Sequence, residues 1–194
     1  MSEADKVLPD TQTINLPLLV NESAVYAPTI QAFDPLPDEH PCYRWVGLIA
    51  AETARIERLL DQAICNVAEI DFRLGACFTG QMVGPAPRFN ALYQFASHAF
   101  LGDGWLSRIR AVGDQAGKTF ALRNRAVHDP WLQERQSGTP HQFRGKPKMK
   151  PDFGAYPVPE EDLRSSLTAL RELRHAVNEL VSDLWTAMRK RRGE

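Results

Sequence analysis

The chain has 194 residues with a formal net charge of −1 and 43% hydrophobic residues, enough for one domain with a real core. Three cysteines, Cys42, Cys65 and Cys77, form no Cys-x-x-Cys pair and have no matching histidines, so neither a disulfide framework nor a zinc site is implied, and a reducing cytoplasm fits. There is no signal-peptide pattern and no apolar run of membrane-spanning length, so a soluble protein with no membrane partner is expected.

The charge is unevenly distributed. Residues 1–40 hold seven acids and one base, a net of −6, and leave +5 on residues 41–194. The first segment carries Pro9, Pro17, Pro28, Pro35 and Pro37 without sustained periodicity, and reads as an acidic, extended arm ahead of a basic helical domain.

From Tyr43 to Leu74 the apolar residues recur at helical spacing: Trp45, Ile49, Ile56, Leu59, Leu60, Ala63, Val67 and Ile70 form one stripe. Glu52 falls inside it. A carboxylate in an apolar seam needs a counter-charge, and Arg123 or Arg125 is the expected partner, with exposure of Glu52 at the rim as the alternative. Gly75 to Pro87 reads as a loop. A second helix follows over Arg88 to Leu101, and Gly102-Asp103-Gly104 turns the chain into a third, Trp105 to Asp129. His98 receives no role.

The third helix ends in Leu122-Arg123-Asn124-Arg125-Ala126-Val127-His128-Asp129-Pro130. Pro130 disfavours helix at Asp129 and so places His128 in the last turn. At about 100° per residue, Asn124 and His128 stand roughly 40° apart with Arg123 on the flank. A guanidinium, an amide and an imidazole on one patch suit a phosphodiester. Arginine offers a charged fork to phosphate oxygens, asparagine orients the ring or a ribose hydroxyl, and histidine carries protons near neutral pH. RNA brings its own nucleophile, the 2′-hydroxyl, so no metal and no cofactor is called for.

Between Pro130 and Pro159, Trp131-Leu132-Gln133 and Gln142-Phe143-Arg144 flank Ser137-Gly138-Thr139-Pro140, the pattern of a two-stranded hairpin. Arg144, Lys146, Lys148 and Lys150 then alternate along the chain, and with Trp131 or Phe143 for stacking they form a candidate wall for a phosphate backbone. The last helix starts at Pro159 and carries Leu163, Leu167, Leu170, Val177, Leu180, Val181, Leu184 and Met188 on one stripe, broken by Arg174.

The run Arg123-Asn124-x-x-x-His128 at the end of a long helix resembles the signature of the HEPN superfamily, in which arginine and histidine are separated by four to six residues and a polar residue follows the arginine. Arg135 and His141 match the bare spacing too, but in a Gly/Pro-containing stretch where it fixes no geometry. The family variant with a tyrosine two residues after the histidine is disfavoured, since that position is Pro130.

The resemblance implies a helical bundle that forms a homodimer; with the patterns above, the expectation is an all-α fold, a bundle of four main helices with a small β-hairpin insertion before the last helix and an extended N-terminal arm. It implies a metal-independent endoribonuclease of toxin–antitoxin or antiphage-defence type that cleaves RNA through an Arg/His site in the dimer cleft, with RNA and an antitoxin or defence-system protein as partners. Arg123, Asn124 and His128 would be catalytic; Arg125, Trp131, Arg144, Lys146 and Lys148 would bind substrate, with Glu52 in support. The alternative is a non-catalytic HEPN-like module that binds nucleotides or proteins.

Overall fold

The computed structural model describes residues 32–99, 101–146 and 152–193. Its elements in chain order are β1 (Phe33–Pro35), α1 (Cys42–Ala68), α2 (Phe72–Thr79), α3 (Pro85–His98), α4 (Asp103–His128), β2 (Trp131–Glu134), β3 (Pro140–Lys146), β4 (Asp152–Pro157) and α5 (Glu160–Arg192). The molecule is mostly helical, but the all-α expectation needs correcting. The described residues contain a four-stranded antiparallel sheet in the order β1-β2-β3-β4, not an isolated hairpin.

The extra strands come from both sides of the expected hairpin. β4 pairs with β3 from His141↔Pro157 to Lys146↔Asp152. β1 is drawn from within residues 1–40 and pairs with β2 over Phe33↔Glu134 to Pro35↔Leu132. Residues 1–31 of the expected arm lie outside the described residues, as do Lys148 and Lys150. A lone hairpin is marginal in water, and extra strands with packing against helices stabilise it.

The expected helix over Tyr43 to Leu74 is two helices. α1 stops where Glu69 takes a left-handed conformation (φ 55°) and its N–H returns to the Asn66 carbonyl. The chain then restarts at Asp71, whose carboxylate accepts from the N–H groups of Arg73 and Leu74. This is an N-cap, worth about 1 kcal/mol. α2 therefore takes Gly75 to Thr79 from the expected loop. It sits close enough to α1 that a Cβ at Gly75 would collide with Cys65 Sγ. The segment between α2 and α3 is stapled by Arg88, which donates to Asp61 Oδ1 (2.8 Å) and to the carbonyls of Met82, Gly84 and Thr79 (2.7, 2.8 and 3.3 Å).

The core forms where α1 packs along α5 and α3, and α4 packs across α3 and α5. Ile49, Ile56, Leu60, Ile64, Leu92, Leu170, Leu173 and Leu180 are fully enclosed. α5, 33 residues and so about 50 Å long, runs beside both α1 and α4. Among the described residues, no helix is long and apolar enough to cross a membrane.

Candidate functional site at the end of α4

The last turn of α4 carries the candidate site. Asp129 leaves the helix in an extended conformation (φ −76°, ψ 137°), as the following proline requires. The last carbonyls of a helix have no partners within it, and here the sheet supplies them. Trp131 Nε1 donates to the Ala126 carbonyl at 3.0 Å, and Gln142 Nε2 donates to the Arg125 carbonyl at 3.1 Å. The Asp129 N–H adds a second bond to the Arg125 carbonyl (3.1 Å). The end of α4 is thus held by β2 and β3, and the side chains it presents are held with it.

Arg123, Asn124 and His128 meet. One guanidinium nitrogen, Nη1 of Arg123, donates to Asn124 Oδ1 at 3.0 Å and lies 3.0 Å from His128 Nε2. A guanidinium can only donate, so Nε2 is the acceptor in this contact. Asn124 and His128 are exposed, whereas Arg123 is half-buried with its Nε shielded and unbonded. Its stem continues the inward stripe of α4 while its fork emerges at the surface.

The other expected site residues divide. Arg125 and Arg144 do join each other, but in a separate groove. This cavity of about 510 Å³ lies between α4, β3 and the first turns of α5, and Arg123, Asn124 and His128 are not among its lining residues. Trp131 is committed to the helix end by its indole bond and packs against the core. Lys146 closes β3, and Lys148 lies outside the described residues.

Glu52 is far from solvent, 4% exposed, but its partners are not Arg123 or Arg125. Arg55 Nη1 stands 2.7 Å from Oε1 and Arg174 Nε 2.9 Å from Oε2, with Arg171 at 3.9 Å. The two residues that broke the apolar stripes of α1 and α5 therefore neutralise each other, because these helices pack side by side. Glu52 supports the α1–α5 contact, not the α4 site.

The second arginine–histidine spacing is used up structurally. Arg135 pairs with Asp34 of β1 at 2.9 Å. His141 is buried, bonds the Thr139 carbonyl through Nδ1 (2.9 Å), and meets the ring of Phe33 edge-on at 4.9 Å. Gln142, 2% exposed, is the site residue that sequence reasoning missed. It carries no chemistry of its own, and its role arises from a contact 17 residues away in the chain.

Among the described residues, no group of three or more His, Cys, Asp or Glu side chains could hold a metal ion. Comparisons with protein-family models, curated proteins and solved structures gave no match.

Proposed function

We propose that the end of α4 is the active site of a metal-independent endoribonuclease of HEPN type, acting in the cytoplasm as a homodimer. The observation that carries the reading is the Arg123 fork, 3.0 Å from both Asn124 Oδ1 and His128 Nε2 at an exposed helix end. A structural role for Arg123 as the ion-pair donor to Glu52 is disfavoured, because Glu52 is held by Arg55 and Arg174.

In this reading a phosphate of RNA replaces the imidazole as the ligand of Arg123, which frees Nε2 for proton transfer. The 2′-oxygen attacks phosphorus as the bond to the 5′-oxygen breaks; His128 serves as general base to the 2′-hydroxyl or as general acid to the 5′-oxygen, and the proton at the opposite apical oxygen is exchanged with water. The products are a 2′,3′-cyclic phosphate and a 5′-hydroxyl. Arg123 neutralises the charge that develops on the pentacoordinate phosphorus, and Asn124 keeps the fork and ring in register. Arg125 stands ready on the same turn for the backbone, and an antitoxin or other defence-system protein is the expected regulator.

The test is cleavage of labelled single-stranded RNAs in EDTA by wild type and His128→Ala, with the oligomeric state of both measured. Cutting that survives EDTA and disappears in the variant, with the oligomer intact, supports the reading. A folded wild type that cuts none of several RNAs moves the function to a non-catalytic binding module.

A further inference from the structure

The groove behind α4 has a lining too mixed in chemistry for a simple anion trap. Arg125 and Arg144 bring two guanidiniums to it, and Asp162 and Ser165 bring a carboxylate and a hydroxyl from the first turns of α5. Leu122, 43% exposed, adds apolar surface. Arg144 is oriented by Nη2 donating to Gln142 Oε1 at 2.9 Å and lies over the Tyr156 ring at 5.7 Å. Gln142 in turn bonds the Arg125 carbonyl, so a single buried amide links both arginine-bearing segments. The Arg125 side chain is exposed and has no ion-pair partner among the described residues.

A bare phosphate would gain from the two arginines but be repelled by Asp162. A ligand that carries an anionic group, a flat apolar face and hydrogen-bond donors uses the whole surface. A ribonucleotide has all three: its phosphate meets the arginines, its base lies on the apolar wall, and a base amine or ribose hydroxyl donates to Asp162 or Ser165. The volume of about 510 Å³ is in the usual range for a small-molecule site.

The groove also lies next in line around the helix. At about 100° per residue, Arg125 is about 60° from His128, and Leu122 is about 60° further. We infer that this groove is a nucleotide subsite that receives the neighbouring residue of the strand whose phosphate sits at Arg123, with Arg125 as the bridge between them. The placement of a strand there rests on the ribonuclease reading; the affinity of the groove for a nucleotide does not.

The experiment is therefore a titration that needs no cleavage. The four ribonucleoside 5′-monophosphates are added separately to wild type and to the Arg125→Ala, Ser165→Trp and Arg123→Ala variants, and binding is followed by heat and by amide chemical shifts, with inorganic phosphate and free nucleosides as probes of each half of the ligand. At least one monophosphate is expected to bind more tightly than either half. Arg125→Ala, which removes a charge, and Ser165→Trp, which fills space at an exposed position and leaves the charge, should each weaken it about tenfold or more. Arg123→Ala should change it by less than about twofold.

Binding lost in Arg123→Ala but kept in Ser165→Trp would put the nucleotide at the α4 patch and overturn the groove. So would the absence of binding by all four, or equal binding of inorganic phosphate. Nucleotide binding with this pattern in a protein that cuts no RNA would leave the groove standing and remove the ribonuclease reading alone.

Discussion

Arg174 on α5 reaches across the helix interface to place Nε 2.9 Å from Oε2 of Glu52 on α1. The pair is lopsided: the Glu52 side chain is 6% exposed and that of Arg174 is 33% exposed. Removing the arginine strands a buried carboxylate, whereas removing the carboxylate lets the arginine turn to water. Arg174→Ala is expected to cost about 2 kcal/mol, below the 3–5 kcal/mol of a fully enclosed pair because Arg55 still contacts Glu52. Glu52→Leu should stay within about 1 kcal/mol of wild type, since an apolar side chain fits the seam. Urea unfolding of both variants checks the order, and a larger loss in Glu52→Leu would contradict it.

Gln142→Ala should loosen the end of α4 while leaving Arg123, Asn124 and His128 in place. It removes the amide that holds the Arg125 carbonyl and orients Arg144, at a cost of about 1–3 kcal/mol. Amide exchange in the last turn of α4 is expected to speed up more than exchange in the middle of α1. Uniform acceleration throughout would mean that the side chain stabilises the whole fold and not this helix end.

Arg88 is 6% exposed and makes four hydrogen bonds to the segment that joins α2 to α3 and to Asp61. Arg88→Met keeps much of the volume and loses them all, so about 2–4 kcal/mol of stability should go with it. Limited proteolysis should then cut between Thr79 and Gly84 before it cuts elsewhere in residues 42–99. A variant as resistant as wild type would show that packing alone orders this connection.

Thiol chemistry separates the cysteines. Burial pushes the Cys42 and Cys65 thiols above their ordinary value, with Glu160 adding to the effect at Cys42 and Asp61 at Cys65, while Cys77 is exposed. Native protein at neutral pH should take one alkyl label, at Cys77, and denatured protein three. A folded-state value raised above the unfolded one means that the two buried thiols contribute stability below the unfolded value and lose it as pH rises through the folded value. Stability to urea should therefore fall on the alkaline side of the ordinary thiol range, and Cys42→Ala with Cys65→Ala should reduce that pH dependence.

At the proposed active site, Arg123→Lys tests geometry with the charge retained. A lysine is a point charge and cannot offer the two ends of a planar fork to a phosphate. Loss of one such stabilising donor is commonly worth about a hundredfold in kcat. Arg123→Lys should thus cut RNA at least about tenfold more slowly while retaining the fold, as judged by circular dichroism. Undiminished cleavage would mean that Arg123 supplies charge alone.

Local pattern alone determined the long helical stretches, because burying one face of a helix imposes a spacing that a short window of sequence displays. Leu163 to Met188 on α5 and Ile49 to Val67 on α1 are legible for that reason, and so is the stop at Pro130, since the restriction on Asp129 is covalent. The nearness of Arg123, Asn124 and His128 was legible too, because one helical turn sets it. The break at Glu69 was not, for a left-handed residue without glycine leaves no periodic trace, and the apolar stripe runs on into α2. Tertiary structure alone decided the rest. Phe33–Pro35 became a strand because β2 offered an open edge. Glu52 chose Arg174 over Arg123 because α1 lies along α5. Arg125 and Arg144 were gathered into a groove apart from His128 because β3 folds over the end of α4. Each of these joins groups distant in sequence, and no local spacing records which distant partner packing will bring.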